Sequence, residues 1–426
     1  MIRYRVGRAV LVTALAVLVP LLVNGAPHRP ARQPGGIPIT GAPVPELASF
    51  DRIVSNLMVK WQIPGGSVAV VKDGRLILAH GIGWADRENR TRVQPDSQFR
   101  IASLSKSLTS AAILKLVEEG RLSLDDKAFD RLKDLKPRPG AHVNPELGKI
   151  TIRNLLQHSG GWDRDKSFDP MFQSREIAAA MGVPPPAYAE TIIRYMLEKP
   201  LQFAPGSKYA YSNFGYCVLG RIIEKTTGER YEDFVKTRIL RPAGVTAMRL
   251  GRTRLRERAP NEVRYYGFPG QGLTQSVFPE GPSKLPWPYG GWFIEAMDSH
   301  GGWIASATDL ARFIGAVDGR HHHPQILRPQ SIQQMIARPA PPLWVGTDTW
   351  YGMGWSVRPA GGDANWWHTG SLDGTATLMV RAGNGLTWVV LFNSRPKDSD
   401  GLSSELDGAM WQAVGQVKTW PDRDLF

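Results

Sequence analysis

The chain has 426 residues, 42% hydrophobic and 21% charged, a balance that suits a globular protein with a full core and excludes a disordered one. The net charge of +13 is spread thinly, with no run of Lys or Arg longer than two, so a nucleic-acid footprint is not indicated. Cys217 is the only cysteine, so no intrachain disulfide can staple the fold. Its apolar neighbours from Tyr216 to Leu219 place it in the core rather than at a reactive site.

Arg3, Arg5 and Arg8 precede an apolar run from Ala9 to Val23, and Val23-Asn24-Gly25 offers small residues for cleavage before Ala26. The run falls short of the roughly 20 residues of a transmembrane helix. Residues 1–25 are therefore expected to be a signal peptide or, if uncleaved, an anchor. That makes the protein periplasmic or secreted, in touch with a membrane only through this segment. Residues 26–45 are rich in Pro and Gly and read as a linker, followed by one domain over 46–420.

Glu46 to Trp61 carries Leu47, Phe50, Ile53, Val54, Leu57 and Met58 at helical spacing. Gly66–Val71 and Arg75–His80 read as strands of a hairpin turned at Asp73-Gly74. From Ser103 a helix is predicted through Leu108, Ala112, Ile113, Leu116 and Val117, stopped at Gly120. Residues 121–300 change character. Helical segments at 151–158, 190–197, 213–227 and 232–240 are separated by loops, with no sustained strand alternation. Thr308-Asp309 is expected to cap a helix over Leu310 to Val317. Strand signals return at Tyr351–Val357, Gly374–Arg381 and, after Asn384-Gly385, Leu386–Asn393, and a last helix is expected over Leu402–Val417. The fold class predicted is α/β of the α+β type. An antiparallel sheet built from both chain ends is flanked by helices, with a mostly helical lobe inserted over 121–300 and a catalytic cleft at the seam.

The chemistry is expected at Ser103 and Lys106. Three apart on a helix, they share one face, one turn from each other. A serine becomes a nucleophile only beside a base, and a lysine one turn away can serve. The helix N-terminus leaves N–H groups for a developing oxyanion. A second S-x-x-K, Ser394 to Lys397, contains Pro396 in a loop-like stretch, so no helix aligns that pair. No serine has Gly two before and two after, and neither H-E-x-x-H nor C-x-x-C occurs. No metal and no cofactor are therefore expected. The loop cluster His321-His322-His323 lacks a carboxylate context, and His158 reads as a structural hydrogen-bonding residue. Gly-Gly-Trp, at 160–162, 290–292 and 301–303, suggests loops near an aromatic-lined cleft, with His300 and Trp292 as candidate lining.

Two further triplets complete the constellation: Tyr211-Ser212-Asn213, and His368-Thr369-Gly370 opening a strand-like run through Leu378-Met379-Val380. In the order S-x-x-K, Y-x-N, H-T-G the chain resembles the penicillin-recognising serine hydrolases. That group comprises class C β-lactamases, D-alanyl-D-alanine carboxypeptidases, D-aminopeptidases and related esterases. Leu155-Leu156-Gln157-His158-Ser159-Gly160, Phe203-Ala204-Pro205-Gly206 and Tyr351-Gly352-Met353-Gly354-Trp355 also resemble recurring segments of that family. The resemblance implies Ser103 as the acylated nucleophile, Lys106 as its proton partner, and Tyr211 as base, as a phenoxide or by sharing a proton with Lys106. Asn213, His368, Thr369 and Gly370 would bind substrate, and the backbone N–H groups of Ser103 and Ser371 would form the oxyanion hole. His368 stands where class C β-lactamases carry Lys, which tilts the expectation toward a carboxypeptidase, D-peptidase or esterase. A class C-like β-lactamase is the alternative, and a non-catalytic envelope or peptidoglycan-binding protein is the alternative of another class. The expected partners are small peptide, amide or ester substrates, including peptidoglycan stem peptides or β-lactams. A histidine titrating near neutrality at position 368 would favour acidic substrates at lower pH.

Overall fold

The computed structural model describes residues 36–426. The export signal expected at 1–25 and residues 26–35 of the expected linker lie outside the described residues. The linker expectation does not hold up to residue 45. Ile39 and Thr40 pair with Ile82 and Gly81 at the sheet edge, and Val44 is buried.

The framework is a nine-stranded antiparallel sheet. Eight of these strands, all among the described residues, run in the order Ile39–Thr40, Arg75–Asp86, Gly65–Lys72, Leu386–Phe392, Thr375–Arg381, Asp363–Leu372, Ser356–Ala360, Trp350–Tyr351, and the ninth, Thr91–Arg92, pairs with Arg75–Asp86 off this path. The join between Gly65–Lys72 and Leu386–Phe392 unites the two ends of the sequence, as expected from strands at both ends. The first hairpin turns where predicted: Asp73 and Gly74 both have positive φ, 48° and 79°, as its tight turn requires. Its second strand runs on beyond the expected end at His80 to Asp86, through Gly81 and Gly83. A Cβ at either would collide with backbone, of Val93 and Pro64 respectively, so these glycines permit close approach rather than end the strand.

Both faces of the sheet are covered, so its central strands are apolar throughout rather than alternating. Val68, Val70, Trp388 and Val390 pack on one face against the helices Ala48–Lys60 and Ser399–Val414. Ala69, Val71, Val389 and Leu391 face the other way, into a core shared with the helices Ala307–Gly315 and Ser105–Glu118. Each large side chain sealed in this way contributes about 1.5–3 kcal/mol.

The helical lobe contains Ile152–Leu156, Ser174–Met181, Ala189–Met196, Asn213–Thr227 and Tyr231–Val235, the last continued by a π turn over Lys236–Leu240. Ser174–Met181 was not expected. Short strands also occur here: Arg249–Leu250 pairs with Trp303–Ala305, and Leu273–Gln275 with Lys284–Pro286. They are too short to show alternation. Ser306, not Thr308, caps the helix after it, exchanging bonds with Asp309 in a capping box. Cys217 is buried as expected, and burial pushes its thiol up to about 12.

Candidate active site

Phe99–Arg100 pairs with Trp303–Ala305, and the Ile101 N–H donates to Trp303 O at 3.0 Å. Ala102 then takes a left-handed φ of 49°, a strain of about 1–3 kcal/mol for a residue with a Cβ. It throws the chain from strand into the turn Ala102–Leu104 and the helix Ser105–Glu118. Ser103 is the only residue of the turn that is not fully buried.

Lys106 is buried one turn on. Its Nζ lies 3.0 Å from Ser103 Oγ, 2.8 Å from Asn213 Oδ1 and 2.9 Å from the His300 carbonyl. Burial holds the amine well below the usual lysine range; Asp169 opposes this and Arg164 adds to it. The two carbonyl oxygens can only accept, whereas the serine hydroxyl can donate. A neutral amine fits this set: it gives two N–H groups to the carbonyls and turns its lone pair to Ser103. Asn213 is oriented in turn by Asp169, whose Oδ2 accepts from Nδ2 at 2.7 Å. A carboxylate cannot donate, so the amide oxygen must face Lys106.

Tyr211 faces the Ser103 hydroxyl, and Lys106 Nζ stands 4.8 Å from its ring centre. Burial drives its phenol well above its ordinary value, so the phenoxide expected from the resemblance is not the form this pocket favours. His158 holds the Tyr211 segment as the structural residue it was read to be. Its carbonyl accepts from Ala210 N–H at 2.8 Å, its Nδ1 accepts from Ser212 N–H at 3.1 Å, and its ring lies 4.3 Å from that of Tyr211.

His-Thr-Gly does not open a strand. It lies near the end of Asp363–Leu372, which turns back through Asp373-Gly374 into Thr375–Arg381. The neighbouring strand pairs only as far as Trp367, opposite Ser356, so His368 to Leu372 keeps an open edge. Thr369 and Ser371 line a cavity of about 360 Å³ with Ser103, Tyr211 and Asn213. Gly370 faces away, against the Ala102–Leu104 turn; a Cβ there would stand 2.5 Å from Ile101 O.

His368 also lines the cavity, but both its nitrogens are engaged. Nδ1 lies 2.6 Å from Thr369 O and Nε2 3.0 Å from Tyr351 Oη, so the ring donates to the carbonyl and accepts from the phenol. Burial, reinforced by Lys106, pushes it down to about 3. The imidazole is neutral at ordinary pH, which overturns the expected titration near neutrality and leaves it no nitrogen for a substrate carboxylate.

Arg164, Asp169, Phe172 and Asp400 complete the site and were not singled out from sequence. The first three fall in the aperiodic stretch after Gly-Gly-Trp162. His300 contributes its carbonyl and lines the cavity. Trp292 does not; it is buried with Ala102, Ile294, Met297 and Leu372. Trp162 and Trp303 are likewise core residues. Ser394 is buried and Lys397 exposed, and the helix after them begins only at Ser399. His323 Nε2 meets the Gly74 carbonyl at 2.7 Å, and no three His, Cys, Asp or Glu side chains among the described residues are grouped to hold a metal.

A sequence model of the family described as Beta-lactamase matches residues 50–407. Penicillin-binding protein 4* of Bacillus subtilis (strain 168) is 27% identical over 364 residues, 84% of this chain and 74% of that one. Protein flp of Staphylococcus aureus (strain COL) is 29% identical over 197 residues, 46% of this chain but only 37% of its own length. Among solved structures, the octameric penicillin-binding protein homologue from Pyrococcus abyssi superimposes with a TM-score of 0.66 at 25% identity, covering 86% of this chain and 77% of that one.

Proposed function

The chain belongs to the β-lactamase family of serine hydrolases, and on that premise we propose that it cleaves amide or ester bonds through an acyl-enzyme at Ser103, as an exported D-alanyl-D-alanine carboxypeptidase, D-peptidase or esterase. The observation that carries this reading is the contact set of Lys106 with one donor-capable hydroxyl and two carbonyl oxygens.

In this mechanism Ser103 Oγ attacks the substrate carbonyl carbon while its proton passes to Lys106 Nζ. The N–H groups of Ser103 and Ser371 receive the oxyanion. The bond to the leaving nitrogen or oxygen then breaks. The leaving group takes its proton from the Tyr211 phenol, and the Lys106 ammonium restores it. Water repeats the sequence on the acyl carbon and frees Ser103. Lys106 thus takes the base role and Tyr211 the acid role, in keeping with the directions in which burial moves them. The open edge from His368 to Leu372 suits an extended peptide laid beside it, which supports a peptidic substrate. A neutral His368 in the place of a lysine supports a peptidase or esterase over a dedicated β-lactamase. The arginine-led apolar segment at 1–25 supports a periplasmic or secreted location.

The test is a panel of nitrocefin, a D-Ala-D-Ala peptide, a D-amino-acid amide and p-nitrophenyl esters against wild type and Ser103→Ala. Peptide, amide or ester turnover that outpaces nitrocefin and vanishes in Ser103→Ala is expected. Nitrocefin as the best substrate would favour the β-lactamase alternative, and peptide binding without turnover a non-catalytic envelope protein.

A further inference from the structure

With both nitrogens of His368 engaged, a substrate carboxylate must be met by another group. Arg395, beside the same strand, gives Nη1 to Ser371 Oγ at 3.0 Å and Nη2 to Asp373 at 3.1 Å, and it does not line the cavity. Arg164 differs. Its guanidinium lines the cavity 4.9 Å over the Tyr211 ring, and its side chain is 43% exposed. Its nearest carboxylates, Asp169 at 3.8 Å and Asp165 at 3.9 Å, lie beyond hydrogen-bond range. They hold the group in place without saturating its five N–H donors. Among the described residues, the other charged side chain on the cavity wall is Asp400, because His300 and His368 are held neutral by burial.

We propose that Arg164 is the specificity residue of this site, receiving a carboxylate of the substrate on its open guanidinium fork, so that the preferred substrates are carboxylate-bearing peptides or esters. This deepens the acyl-enzyme reading above and rests on it. A planar guanidinium matches a carboxylate in two parallel bonds, which a lysine ammonium cannot do. Asp165 and Asp169 stand at 3.9 and 3.8 Å from the fork, and a bound carboxylate would complete its hydrogen bonds.

The test uses two substrates with the same scissile bond, one ending in a free carboxylate and one in the carboxamide, against wild type, Arg164→Gln and Arg164→Lys. The readout is the ratio of their kcat/KM values, which cancels any loss common to both from disturbing Tyr211 or Asp169. In Arg164→Gln the acid-over-amide ratio should fall roughly 10- to 100-fold, the worth of one charge-assisted hydrogen bond, and Arg164→Lys should recover part of it. An unchanged ratio would overturn the proposal, as would a wild type that prefers a matched ammonium-bearing substrate, which would point to Asp400. Calorimetric titration of the same two compounds into Ser103→Ala, with and without Arg164→Gln, reads the preference without turnover. A calorimetric preference that depends on Arg164 in a protein that turns over neither compound would count against the acyl-enzyme reading and sustain the arginine. Turnover with no such preference would do the reverse.

Discussion

Ser103, Lys106 and Tyr211 were legible in the sequence for different reasons. The serine and lysine announce themselves by a three-residue spacing at the head of an apolar helix, the tyrosine only by the triplet's place in the resemblance. Spacing could not show protonation, which burial decides. Burial moves Lys106 down and Tyr211 up, and in the proposed mechanism the lysine therefore serves as the neutral amine while the tyrosine keeps its proton. kcat/KM should therefore rise with pH through the depressed lysine pKa, with no falling limb from Tyr211 at moderately alkaline pH. Tyr211→Phe and Lys106→Ala should each slow acylation on the order of 10²–10⁴-fold, and the double variant should lose much less than the product. A multiplicative loss would mean that the two act independently. Because His368 stays neutral, the acid-over-amide ratio should be flat between about pH 6 and 8; a ratio that falls across that window would restore the histidine as the carboxylate's partner.

Elements were read well where periodicity or turn chemistry was strong, as in Asn213–Thr227 with Gly228 stopping it at a φ of 76°. They were misread where a strand's start carried no signal, as at His368-Thr369-Gly370, expected to open a strand and found near the end of one. Gly370 there lets the strand Asp363–Leu372 lie against the turn that holds Ser103. Gly370→Ala must push the strand off Ile101 and Ala102. It should cost about 1–3 kcal/mol in urea unfolding and lower kcat/KM with it. An alanine variant with wild-type stability and rate would contradict the close approach. A second link between elements is His80, which ties the sheet to the first helix through Asp51 at 2.7 Å and to the Ala42 carbonyl at 2.9 Å. Both partners can only accept, so the ring must carry both protons. Burial opposes this, but the bonds to Asp51 and Ala42 prevail and raise its pKa. A raised folded-state pKa gives stability that is complete below the unfolded value of about 6.5 and lost as pH climbs through the folded one. The wild-type urea midpoint should therefore fall over that rise relative to His80→Gln, and parallel midpoints would contradict the link.

On the scale of the whole molecule, the sheet drawn from both chain ends was foreseeable because apolar strand runs cluster there and helical ones lie between. The loops that carry Arg164 and Asp169 across the seam were not, since nothing periodic fixes them. The closure of the two ends on each other should make unfolding cooperative. Trp388, fully buried in the strand beside Gly65–Lys72 and edge-on to Trp411 at 4.8 Å, belongs to that junction. Trp388→Ala should remove about 3–5 kcal/mol without splitting the denaturant transition. The seam these layers create is where Ser103 meets Lys106, and the central claim is that a covalent bond forms there. The most direct measurement is peptide mapping by mass spectrometry after treatment with a labelled penicillin or a fluorophosphonate. The label's mass should appear on the peptide containing Ser103 and be absent from Ser103→Ala. Labelling at Ser159 or Ser394, or no labelling by either reagent, would contradict the account.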